Sequence, residues 1–252
     1  LTAIIIIILA VLGAALGSFF NVLIWRLPRK ESIVFPSSHC GECGKPIPFY
    51  LNVPIISFIL LKGKCKYCSA KIHWHHLLVE IITPLILIGV FLQYGLFNVL
   101  FLKYALLALW MIPIFFIDGF HQIIPHKLSI PLIPIGLIFA LVPQNDVGIV
   151  NSLLAAVIIF SFLLLLAYLY RFARKADGLG GGDIWLLTGI STFFGLISLP
   201  FLVLLASLLG ILYFLIFVRD KEKGFAFGTF ISFTVVFWIL MGGERLLNYL
   251  PI

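Results

Sequence analysis

The sequence predicts an all-α polytopic membrane protein of about eight transmembrane helices with a small cytoplasmic zinc-binding loop domain. Three observations predict it. Of the 252 residues, 62% are hydrophobic and 11% charged, which excludes an ordinary soluble domain. Apolar runs of about twenty residues recur, and they are continuous, whereas barrel strands would alternate. The basic residues also gather at alternate ends of those runs, as they do in membrane bundles.

The spans are read as 3–25, 77–94, 98–117, 128–143, 149–170, 184–199, 201–218 and 225–241. The first lacks a basic n-region and an A-x-A site and is long enough to cross, so it is a spanning helix rather than a signal peptide. Gly13, Gly17 and Ser18 give it a small face for close helix packing. Pro125, Pro131, Pro134 and Pro143 punctuate the fourth span, which is expected to be short or kinked. Segments 26–76, 118–127, 171–183 and 219–224 share one side and hold 15 of the 17 Lys and Arg residues. That side is therefore the cytoplasm, with both termini outside. The net charge of +7 is a topological excess, so the bilayer is the expected partner and nucleic acid is not. The chain divides into a first helix (1–25), a cytoplasmic loop (26–76) and a bundle (77–252).

The loop holds all four cysteines, as Cys40-Gly-Glu-Cys43 and Cys65-Lys-Tyr-Cys68, with 21 residues between the pairs. Two CxxC knuckles at this spacing read as a four-thiolate zinc site. Lys45, Lys64 and Lys66 favour thiolate. A loop of this size has no core of its own, so the metal would fold it. Disulfides are disfavoured in a reducing cytoplasm. His73, His75 and His76 follow, but four cysteines already fill a tetrahedral shell, and the histidines read as interfacial residues opening the next helix.

Gly180-Gly181-Gly182-Asp183 precedes an apolar run, and Asp118 ends another. Acids at membrane depth are costly and mark function. Three glycines clear side chains from one turn, so another chain can approach Asp183. The topology puts Asp118 and Asp183 on the same face. Together they read as the catalytic pair of an intramembrane aspartyl protease. Asp146, Asp177 and Glu244 read as solvated loop acids. A proton pathway would need acids near mid-membrane and repeated halves, and no repeat is visible. A thiol oxidoreductase needs one reactive CxxC pair, not two at zinc spacing.

The chain resembles the bacterial type IV prepilin peptidases, which are GxGD-type intramembrane aspartyl proteases. The resemblance runs through Gly17-Ser18-Phe19-Phe20-Asn21-Val22-Leu23-Ile24-Trp25-Arg26-Leu27-Pro28, the two knuckles, and Asn52-Val53-Pro54-Ile55-Ile56-Ser57. It continues through Glu80, Ile117-Asp118, Ile124-Pro125, the glycine-aspartate turn and Phe227-Gly228. It implies cleavage of the basic leader of prepilins or pseudopilins of pilus and type II secretion systems, in the cytoplasmic membrane. It also implies transfer of a methyl from S-adenosylmethionine to the new N-terminal amine. No Rossmann-type fingerprint marks a donor site. Glu80 is a candidate for binding the amine or the donor, beside an ion-pair or helix-N-terminus role. Asp118 and Asp183 are symmetric on sequence grounds, and neither is assigned as the base. Four positions depart from the family pattern: Trp185 where lysine is common, Thr229 where an FGP motif has proline, Gly41 where the first knuckle often has proline, and His126 where Asp or Asn is usual.

Overall fold

The computed structural model describes residues 1–176, 178–217 and 226–243. Asp177, Glu244, Arg245 and the loop 219–224 lie outside the described residues. The regular elements described are helical: α1 Thr2–Arg26, α2 Ile56–Leu60, α3 Trp74–Tyr94, α4 Val99–His121, α5 His126–Ser129, α6 Leu132–Ala140, α7 Ile149–Arg174, α8 Gly181–Phe217 and α9 Phe227–Leu240. Among these, α1, α3, α4, α7 and α8 are long and apolar enough to cross a membrane; 126–140 and α9 are shorter apolar helices. The chain forms two compact units, Leu1–Leu92 and Gln93–Ile252.

In the first unit α1 meets α3 through its glycines. A Cβ on Gly13 would lie 2.5 Å from Pro84 Cα, and one on Gly17 would lie 2.8 Å from Glu80 Cα. One turn further on, Asn21 Nδ2 donates to the His76 carbonyl at 3.0 Å. These three rungs, four residues apart on both helices, make the close small-residue contact that the glycine spacing predicts. Arg26 ends α1 buried, donating to the carbonyls of Ser32 (2.9 Å) and Pro36 (2.7 Å). It thereby turns the chain into the loop and satisfies carbonyls that have no ladder to join.

The second unit is built around α4, of whose apolar window 67% is buried, against 17% for α7. Helix α4 packs on α9, and α8 packs on α6, α7 and α9. Asn98 caps α4, accepting from Leu100 N–H at 2.9 Å. The proline-punctuated fourth span is indeed broken, into the single turn α5 and the nine-residue α6.

Two expected spans, 184–199 and 201–218, both fall in α8, and the division between them differs from the sequence reading. The spans were divided at residue 200, but the backbone leaves helical geometry at Gly195, with φ 75° and ψ −171°. Only glycine adopts that region cheaply. The groups freed there are met by neighbouring residues of α7: Asn151 Oδ1 accepts from Leu196 N–H at 3.4 Å, and the Ser152 hydroxyl donates to the Thr192 carbonyl at 2.9 Å. A break in an apolar helix is tolerated when neighbouring side chains satisfy the groups it frees.

Asp146 is a second correction. Read as a solvated loop acid, it instead pairs with Lys103, which is fully buried in α4, and accepts from the Tyr104 hydroxyl. A buried ammonium requires such a partner.

Candidate functional site

The two acids arrive by different routes. Helix α4 runs past the end of the apolar run, so Asp118 lies in its last turn, not in a loop, and is only 4% exposed. Gln122 then closes the helix in the left-handed conformation, its N–H bonded to the Asp118 carbonyl. The Trp110 indole donates to the Leu128 carbonyl at 2.7 Å and ties the following turn back to α4. Asp183 stands in the first turn of α8, whose N–H groups at Asp183 and Ile184 reach the Gly180 carbonyl at 3.1 and 3.3 Å. Its carboxylate folds back toward Gly180, which would place a Cβ 2.7 Å from Asp183 Oδ2. An acid at this position suits the positive end of a helix.

Ile124 joins the two. A Cβ on Gly182 would stand 2.8 Å from both Ile124 Cβ and the Ile124 carbonyl oxygen. A Cβ on Gly228 would stand 2.7 Å from Ile124 Cδ1 and 3.0 Å from Asp118 Oδ2. Gly182 and Gly228 therefore let α8 and α9 close on one side chain, and the carboxyls of Asp118 and Asp183 come near enough for their charges to interact. The glycines of the turn are not equivalent. Gly182 is in tight contact and Gly180 faces the carboxylate, while Gly181 is exposed, with His126 Cε1 its nearest neighbour at 3.9 Å.

Thr229 is the residue whose role was missed. Its backbone N–H donates to Asp118 Oδ2 at 2.7 Å and its hydroxyl reaches the same oxygen at 3.1 Å. In the sequence it was visible only as a departure after Phe227-Gly228. A proline there could not make the first of these bonds, since it has no N–H. Trp185 has a plainer role: its ring packs on Phe160 of α7, with centroids 4.9 Å apart.

In the first unit the four cysteines converge, their sulfurs all within 4.8 Å of one another. Cys40 Sγ and Cys68 Sγ are 3.8 Å apart. A tetrahedron with metal–sulfur bonds of about 2.3 Å has edges of about that length, so the cluster fits a metal ion. The knuckles fold alike. Cys40 N–H bonds to Lys45 O and Gly44 N–H to Cys40 O; Cys65 N–H bonds to Ala70 O and Ser69 N–H to Cys65 O. Both turns end in a left-handed residue, Gly44 at φ 66° and Ser69 at φ 58°. Donation from the Cys68 and Tyr67 backbone N–H groups lowers the Cys65 thiol to about 6. The Ala70 N–H favours the Cys68 thiolate, but burial and the neighbouring sulfurs of Cys65, Cys43 and Cys40 outweigh it and push Cys68 up to about 12. Crowded thiols cannot all ionise without a cation among them. His75 and His76 lie in the first turn of α3, where the sequence put them, and His73 immediately precedes it.

Among the described residues Glu80 forms neither an ion pair nor a helix-terminal contact. It lies beyond the first turn of α3, and its Oε2 accepts from Ile55 N–H at 2.7 Å. Ile55 sits in a γ-turn at φ 63° and ψ −52°, with Ile56 N–H 2.6 Å from the Pro54 carbonyl. That is a strained place for a β-branched residue. Glu80 thus holds the segment between the knuckles against α3.

Residues 11–94 match the bacterial peptidase A24 N-terminal domain, and residues 105–215 match the type IV leader peptidase family. A prepilin leader peptidase/N-methyltransferase of Neisseria gonorrhoeae is 33% identical, over 92% of this chain and 88% of its own. Proteins of the same name from Dichelobacter nodosus (31% identical; 93% and 92% covered) and Vibrio cholerae (32%; 82% and 85%) are also similar. No solved structure matches the chain. With a buried acid at the end of α4, a second behind three glycines at the start of α8, and relatives alike over nearly their whole length, the chain belongs to the type IV leader peptidase family of bacterial A24 peptidases.

Proposed function

We propose that this chain cleaves the basic leader from prepilins or pseudopilins with Asp118 and Asp183, at the cytoplasmic face of the bacterial inner membrane, and then methylates the new N-terminus. The observation that carries the reading is the convergence of the two carboxyls around Ile124, Gly182 and Gly228. Two neighbouring carboxyls share one proton. The ionised one takes a proton from water as it attacks the scissile carbonyl; the protonated one donates to the carbonyl oxygen. The resulting diol collapses, the C–N bond breaks, and the leaving amine takes up a proton. Thr229 fixes Asp118 Oδ2, and Gly182 lets the start of α8, with Asp183, close on Ile124.

The site lies at helix ends, which suits a substrate whose leader stays in water while its helix lies in lipid. The basic loops support a cytoplasmic orientation, and the eight apolar runs support about eight crossings. In the loop, zinc is the metal that four thiolates suit best, held by Cys40, Cys43, Cys65 and Cys68 as a structural ion. Methylation draws on S-adenosylmethionine, with the first unit, Glu80 included, as the region that serves it. Relatives named N-methyltransferase support that half.

The test is prepilin processing by purified protein, followed by gel shift and mass spectrometry. Asp118→Asn and Asp183→Asn should each abolish leader loss while the protein still folds and inserts. The double variant should be no worse than either, because the pair acts as a unit. Normal cleavage by either single variant refutes the aspartyl mechanism.

A further inference from the structure

The first unit encloses a cavity of about 300 Å³ between the end of α1, the cysteine loop and the start of α3. Small-molecule pockets begin at roughly that size, and one metal ion needs far less. Its wall carries an unmet demand. Asn21 is 8% exposed, and its Nδ2 is committed to the His76 carbonyl, which can only accept. The amide orientation is therefore fixed, and Asn21 Oδ1 is left buried without a hydrogen-bond partner. Such an orphan acceptor costs about 1–3 kcal/mol unless something donates to it.

One turn along the same α1–α3 contact lies the Glu80 carboxylate. It accepts from Ile55 N–H and the Ser18 hydroxyl, with acceptor capacity to spare. Trp25 and Tyr67 supply aromatic wall. The lining therefore asks for a ligand with a cationic, N–H-donating end and a flat ring system. Arg26, Lys66 and Lys71 line it too; two of the Arg26 nitrogens are already bonded to loop carbonyls, and the lysines suit a carboxylate on the same ligand. Acceptors near a positively charged centre favour it electrostatically, and aromatic faces take a flat base or a cation.

We infer that this cavity is the methyl-donor site, binding S-adenosylmethionine with its amine and sulfonium end toward Asn21 Oδ1 and Glu80 and its adenine toward the aromatic wall. The assignment rests on the methyltransferase reading above and names the residues that serve it.

The experiment is equilibrium dialysis of full-length protein in detergent with radiolabelled S-adenosylhomocysteine and S-adenosylmethionine. Methylation of a pre-cleaved pilin is followed in parallel. Glu80→Gln keeps an acceptor for Ile55 but removes the charge. Val22→Phe fills the cavity from α1 and leaves Asn21 and Glu80 untouched. Each should weaken S-adenosylmethionine binding by about ten- to a hundredfold, as expected for losing a bond to a charged group or losing the space. Unchanged metal content and thermal midpoint report an intact fold. Wild-type binding by both folded variants overturns the assignment while leaving methylation standing. If the wild type neither binds the donor nor methylates, both readings fall. If the variants lose affinity for the pre-cleaved pilin amine but not for the donor, the cavity is an acceptor site and the assignment is wrong.

Discussion

The three glycines before Asp183 invite one uniform reading, and the structure divides them. In Gly182→Ala the new Cβ would stand 2.8 Å from the carbonyl oxygen and Cβ of Ile124, against the 3.4 Å at which ordinary contact begins. The neighbours must part by roughly 0.6 Å, and one of them is backbone, which yields poorly; overpacking of this kind costs about 1–3 kcal/mol. The displacement falls on Ile124, against which both α8, with Asp183, and Gly228 of α9, beside Asp118, are packed. A misplacement of about 1 Å at a reacting centre can cost about a hundredfold in rate. Gly182→Ala should therefore lower leader cleavage by about ten- to a hundredfold. Gly181→Ala meets nothing closer than 3.9 Å and is exposed. Alanine is the better helix former by about 1 kcal/mol, so this variant should keep activity within about twofold and gain slight stability. The assay is prepilin processing under initial-rate conditions, with thermal unfolding in detergent beside it. Equal losses in the two variants would show that the turn needs glycine for flexibility or substrate access, and that the close approach to Ile124 is incidental.

Thr229→Val keeps the backbone donor to Asp118 and removes the hydroxyl, so cleavage should fall about three- to tenfold, the rate equivalent of about 1 kcal/mol; an unchanged rate would leave the hydroxyl without a role. Zinc affinity should rise with pH by at least about tenfold per unit across the neutral range, because Cys68, at about 12, holds a proton that metal must displace. Below about pH 6 the Cys65 thiolate is lost as well and the dependence steepens; chelator competition at several pH values reads both, and a flat profile contradicts them. Asn151→Leu should destabilise the second unit by about 1 kcal/mol in detergent unfolding, since Leu196 N–H at the Gly195 break loses its acceptor; no change in stability would mean that another group caps the break.

What could be read in the sequence was what spacing alone encodes. The CxxC pairs gave the cysteine cluster, because each knuckle closes locally through its own backbone bonds. Apolar period and length gave the long helices, and the prolines gave the broken fourth span. Gly13 and Gly17 gave α1 a face for close packing, although not α3 as the helix it meets. Whatever depends on a partner far along the chain was hidden. Lys103 and Asp146 each looked ordinary, one a charge inside a span and the other a loop acid, and only their meeting explains both. The break at Gly195 was hidden too, because a positive-φ glycine supported by Asn151 needs α7 to be seen.

The candidate catalytic pair shows the same limit at closer range. Each acid was found from the cost of a carboxylate at membrane depth. Their convergence hangs on Ile124, an aliphatic residue marked in the sequence only as part of the Ile124-Pro125 motif. Its backbone and side chain are the surface on which Gly182 and Gly228 close. Glycine was needed twice for the same reason: a side chain at either position would occupy the space in which α8, bearing Asp183, and α9, bearing the Thr229 donor to Asp118, close on Ile124. The motifs therefore encode an absence of atoms as much as a presence of carboxyls. The packing also explains how Thr229 can stand in the position read as a departure. There the backbone N–H and hydroxyl both reach Asp118, so the change adds donors to the acid without adding bulk between the helices.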